Sequence, residues 1–93
     1  MNGFAETTEG AALIARTAKH FAHKVPVTTS DDHTSIETRF GRAELAATND
    51  GIAIALTAAD AESRDALRDV IGSHLMRFAR TPLDIRWAES LDR

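Results

Sequence analysis

The sequence predicts a two-layer α+β sandwich, an antiparallel sheet of four to five strands with two helices packed on one face. Three observations carry that prediction. The segments "AALIARTAKHFAHK" and "AESRDALRDVIGSHLMRFA" place apolar residues at helical spacing. Between them, "SIETRF", "AELAAT" and "IAIALT" alternate apolar and polar residues and are separated by tight turns. A further alternating run, "LDIRW", follows the second helix. The expected order is α-β-β-β-β-α-β in one domain, residues 1–93, with loose ends at 1–8 and 89–93.

The first helix is expected over Glu9–His23, where Ile14, Ala18, Phe21 and Val25 fall within about 60° on a wheel of 100° per residue. Pro26 stops it, because a residue preceding proline is pushed toward extended geometry. "VPV" then forms a short extended piece that enters a polar loop at Ser30–Thr34; its proline suits a strand start or an edge. In the next strand Ile36, Thr38 and Phe40 share one side, followed by a tight connection at Gly41–Arg42. Ala43, Leu45 and Ala47 face the core from the following strand. "TNDG" at Thr48–Gly51 is a hairpin signal, since Asn, Asp and Gly tolerate positive φ. Ile52, Ile54 and Leu56 continue the core face.

Asp60 is placed to cap the second helix. Leu67, Val70, Ile71, His74, Leu75 and Phe78 occupy about 140° of its circumference. The helix ends near Arg80 at "TP", and Leu83, Ile85 and Trp87 form one face of the last strand. Trp87 reads as core in preference to a partner-facing anchor.

Composition excludes several classes of function. A net charge of −3 and the lack of clustered bases beside aromatics argue against nucleic-acid binding. Without cysteine there are no disulfides, thiolate ligands or cysteine nucleophiles. No apolar run reaches the length of a membrane span, and the first residues lack the basic head and apolar core of a secretory signal, so the cytoplasm is the expected location. Catalysis draws little support: there is no G-x-S-x-G elbow, phosphate-cradling glycine run or H-E-x-x-H.

The chemistry gathers in "KHFAHK". His20 and His23 lie about 60° apart on a helix face that is not the buried one. Two imidazoles at i and i+3 can share a metal but need a third donor; solvated residues favoured by the helix C-terminal dipole fit the same pattern. His74 sits within the apolar arc of the second helix, where a buried imidazole requires a hydrogen-bond partner or a metal. It reads either as a core histidine or as the third member of a cluster with His20 and His23. The cluster requires the first helix to roll its histidines inward. Arg16, Lys19, His20, His23 and Lys24 make a cationic face, and Arg77 and Arg80 add charge at the end of the second helix. Lys24 and Arg77 are candidate contacts for an anionic ligand. Asp31, Asp32 and His33 read as a polar turn.

"KHFAHKVPV" at Lys19–Val27, "HLMRFA" at His74–Ala79 and "LDIRW" at Leu83–Trp87 together resemble the bacterial family catalogued as domain of unknown function 2218. The resemblance runs from the first helix to Trp87. It falls on His20, Phe21, His23, Lys24, Pro26 and Val27, and on His74, Leu75, Arg77 and Phe78. The resemblance implies a small bacterial protein without an established activity, and an association with siderophore-interacting flavoproteins and so with iron homeostasis. It also implies a cysteine just before the first histidine block, where this chain has Ala18 and Lys19.

The leading expectation is a small binding module that takes a metal ion, iron or zinc, or an anionic metal-chelate. His20, His23 and His74 would be its ligands, and Lys24 and Arg77 would offset the anion. The alternative is a non-catalytic interaction domain that homodimerises through edge strands or through the flat face of Ala53 and Ala55.

Overall fold

The computed structural model describes residues 1–31 and 33–89. Eight elements follow one another: β1 (Asn2–Glu6), α1 (Gly10–Phe21), β2 (Val27–Ser30), β3 (His33–Thr38), β4 (Gly41–Ala47), β5 (Gly51–Thr57), α2 (Ala61–Phe78) and β6 (Ile85–Ala88). The six strands form one antiparallel sheet in the order β2-β3-β4-β5-β1-β6. Both helices pack on one face of it and against each other.

Two expectations are corrected here. The sheet has six strands, not four or five, and residues 2–6 are not a loose tail. β1 lies between β5 and β6, pairing Phe4 with Ala53 on one side and with Arg86 on the other. Its backbone groups are therefore used in both directions, and its one fully buried side chain is Ala5. The last strand closes the sheet on β1. Of the expected loose C-terminal end, Glu89 pairs its carboxylate with Arg64 at 3.1 Å, and positions 90–93 lie outside the described residues.

The core is formed by Leu13, Ile14 and Phe21 of α1, by Ile36, Leu45, Ile52, Ile54 and Leu56 of the sheet, and by Leu67, Ile71 and Leu75 of α2. α1 ends two residues earlier than its pattern indicates, and a tight turn through Ala22–Lys24 leads to Pro26. The polar loop expected at Ser30–Thr34 is shorter than it reads, because β2 and β3 pair as far as Ser30 and His33. The hairpin at Thr48–Gly51 forms as expected but by another device. No non-glycine residue among those described has positive φ; instead Thr48 Oγ1 accepts from the N–H groups of Asp50 and Gly51 at 3.2 and 3.0 Å. Gly41, at φ +147°, opens β4 where a Cβ would meet Thr57 O at 2.2 Å, so no other residue fits there. Asp60 caps α2, its side chain accepting from Ser63 N at 2.7 Å. Among the described residues no helix is long and apolar enough to cross a membrane.

Candidate functional site at the seam between the helices

α1 has two neighbours, the sheet and α2, so its buried arc is wider than the stripe of Ile14, Ala18 and Phe21. Leu13 and Thr17, both fully buried, extend that arc toward α2. At 100° per residue His20 lies only about 20° beyond Leu13. It is therefore half-buried at the seam, where it meets His74.

The two imidazole centroids are 5.1 Å apart with their planes inclined at 38°. Phe21 lies under His74 at 4.7 Å and Phe78 beside His20 at 5.2 Å. His74 Nδ1 is 2.6 Å from the carbonyl oxygen of Val70, one turn earlier on α2. A carbonyl can only accept, so Nδ1 carries the proton and donates it. The Nε2 lone pair of the neutral ring is thereby left available. This is the arrangement by which a backbone carbonyl orients a ligating histidine. His74 thus has the hydrogen-bond partner that a part-buried imidazole requires, and it also packs against His20.

His20 is held below the ordinary imidazole value of 6.5. Desolvation is the main cause, followed by repulsion from His74, Lys24, Arg77 and His23. The permanent charges that bear on it, Lys24 and Arg77, are both cations, so the seam favours a neutral imidazole and an anionic visitor. Arg77 lies with its guanidinium 5.7 Å from the centre of the Phe78 ring.

The third histidine does not join. His23 lies in the turn after α1, exposed, about 180° around the helix axis from Ile14. Among the described residues no group of three or more His, Cys, Asp or Glu side chains is arranged to hold a metal ion. Lys24 and Arg77 are exposed at the rim. His33 is engaged elsewhere, its Nε2 2.8 Å from Glu44 Oε1; Asp32 lies outside the described residues. Two contributors were missed in the sequence. Phe78 reads there as core but is a ring partner of His20, and Val70 acts through its carbonyl; the i, i+4 spacing of Val70 and His74 is the signal for the latter.

A family model described as "Uncharacterized protein conserved in bacteria (DUF2218)" matches residues 3–88. The chain belongs to this family. The DUF2218 match reaches all eight elements, entering β1 at Gly3. The solved structure described as "NMR structure of PA4090 from Pseudomonas aeruginosa" is 26% identical in sequence. It superposes with a TM-score of 0.73 over 96% of this chain and 98% of that one. The DUF2218 chain and that protein are therefore similar throughout in fold. No curated protein matches the chain.

Proposed function

We propose that this bacterial domain is a small non-catalytic module of the cytoplasm that binds an anionic metal-chelate, with His20 and His74 as its two side-chain ligands to the metal. The observation that carries the reading is the imidazole pair, 5.1 Å between centroids, with Nδ1 of His74 committed to Val70. Nitrogen lies about 2.1 Å from zinc. Adding about 1.1 Å to each ring centre and a tetrahedral angle, two imidazoles on one ion sit about 5 Å apart. The observed separation supports a shared ion.

Two histidines leave the coordination sphere of iron or zinc incomplete. The rest has to come with the metal, which favours a complex already formed with a carboxylate chelator over a bare cation. Lys24 and Arg77 give the anion its electrostatic complement, and Phe78 offers an apolar wall. His23 is proposed as a further rim cation, not as a ligand.

The test is titration of the full chain with zinc nitrilotriacetate and with ferric citrate, followed by histidine ring NMR. Zinc should shift, and iron broaden, the His20 and His74 signals together while leaving His33 unmoved. Citrate alone should move neither. His74→Phe, which keeps the packing shape, should abolish the response. Unperturbed His20 and His74 rings at saturating chelate would end the proposal.

A second reading, self-association through the open face of the sheet, draws on one ladder. Ala46, Ala53 and Phe4 are consecutive register partners on the face away from the helices, and Phe4 is 37% exposed. Sedimentation over a range of concentrations tests it: Phe4→Ser should move any dimer to monomer.

A further inference from the structure

On the side of α1 turned away from α2, a groove of about 510 Å³ runs between this helix and the β2–β3 hairpin. That volume lies within the roughly 300–1,000 Å³ range of small-molecule sites. Its wall is Ala11, Ala15, Ala18 and Ala22, spaced at 4, 3 and 4 residues along one line of the helix. Their short side chains hold the helix surface back from the sheet. The floor is Val27 and Thr29 of β2 with Thr34 of β3. It is independent of the imidazole pair, which lies on the opposite side of the same helix.

Small side chains alone do not make a site, but Thr34 adds a separate observation. It is 3% exposed, lines the groove, and its hydroxyl has no hydrogen-bond partner among the described residues. No side-chain polar atom among them is both sealed from solvent and unpartnered, so this hydroxyl keeps some contact with solvent, on a side chain that lines the groove. An accessible hydroxyl on an otherwise buried side chain seeks an acceptor. Lys19 also lines the groove and forms no ion pair with a described carboxylate. On the hairpin side, Asp31 disfavours a second negative charge on anything bound there.

We propose that this groove binds a monocarboxylate with an unbranched apolar body. The carboxylate supplies the acceptor for Thr34 and the counter-charge for Lys19, and the chain lies along the alanines. The probe is decanoate, added below its micelle threshold to the ¹⁵N-labelled full chain, with decanol and decylamine as comparisons. Decanoate should give saturable amide shifts at Ala15, Ala18, Thr29 and Thr34, with decanol weaker and decylamine weakest. Thr34→Val should weaken binding about fivefold, the expected effect of one hydrogen bond. Lys19→Met should weaken it about threefold, as for a partly exposed charge pair. Ala15→Leu, at an exposed position, should fill the groove and abolish the shifts while leaving the β1 and β6 amides unmoved. The proposal is overturned if decylamine binds as tightly as decanoate, if A15L binds normally, or if decanoate gives no saturable shift. Binding of an extended apolar peptide in place of decanoate, or concentration-dependent shifts at these amides without ligand, would assign the groove to a protein or to a second copy and would equally overturn it. Zinc nitrilotriacetate titration of A15L keeps the two sites distinguishable, since the imidazole response should persist there.

Discussion

Gly3 and Trp87 face each other directly across β1 and β6, and a Cβ at position 3 would lie 2.6 Å from the indole. The other side of the ring rests against Gly72 of α2, where a Cβ would stand 3.4 Å away. One rigid ring is thus bounded by two glycines with unequal clearance. Gly3→Ala should destabilise the fold by about 1–3 kcal/mol through overpacking. Gly72→Ala sits at ordinary contact distance and should stabilise by about 0.5–1 kcal/mol, since alanine is the better helix former. Urea denaturation of the two variants checks the opposed signs.

Arg16 is a second joint. Its Nη2 is 2.7 Å from Glu9 Oε1, and its Nε donates to the carbonyl of Phe78 at 3.2 Å. The other oxygen of Glu9 accepts from Arg80 N at 3.2 Å, so the end of α2 is tied to the start of α1. Arg16→Lys keeps the charge but cannot span both acceptors. It should cost about 1 kcal/mol and raise the exchange rate of the Arg80 amide, measured by hydrogen exchange.

The acid dependence of stability should come in two windows. His20 has its folded value lowered from 6.5, chiefly by desolvation and then by repulsion from His74, Lys24, Arg77 and His23. The unfolded chain therefore binds the proton first, and the stability present above pH 6.5 is lost as the pH falls through the lowered folded value. Glu9 is lowered from 4.5, mainly by its hydrogen bond to Arg16, so its contribution is present above 4.5 and disappears below that. Urea midpoints measured against pH should show both declines. His20→Phe should flatten the upper one and leave the lower in place; an unchanged upper window would mean that another group titrates there.

Asp60 accepts from Ser63 N at the start of α2, and this bond holds its carboxyl below the ordinary 3.8. Asp60→Ala should lower the melting temperature by a few degrees, and Asp60→Asn should recover most of the loss. Circular dichroism melts compare the three.

The helices and the three-strand meander were legible because their apolar residues repeat at the periods that one buried face demands. β1 was not, because "NGFAE" holds one fully buried side chain, Ala5, and its remaining inward position is a glycine that makes room for Trp87. Its strand character comes from hydrogen bonds to two neighbours remote in sequence, which no local pattern carries. At the site, His74 stood out on an apolar arc, but placing His20 beside it required knowing that α1 packs on both a sheet and a helix. His23, only three residues on, projects from the turn beyond that packing. The groove left a trace as four alanines along one line, whose meaning depends on the β2–β3 hairpin lying across from them.

The place of β1 in the sheet also bears on how the chain assembles. Residues 2–6 precede every other strand of the sheet, yet their partners are residues 51–55 and 85–88. The sheet cannot be completed until residues 85–88 have emerged, because β6, at the end of the strand order, docks on β1. Such long-range closure favours slow, all-or-none folding, with the first strand exposed during synthesis as an unpaired edge.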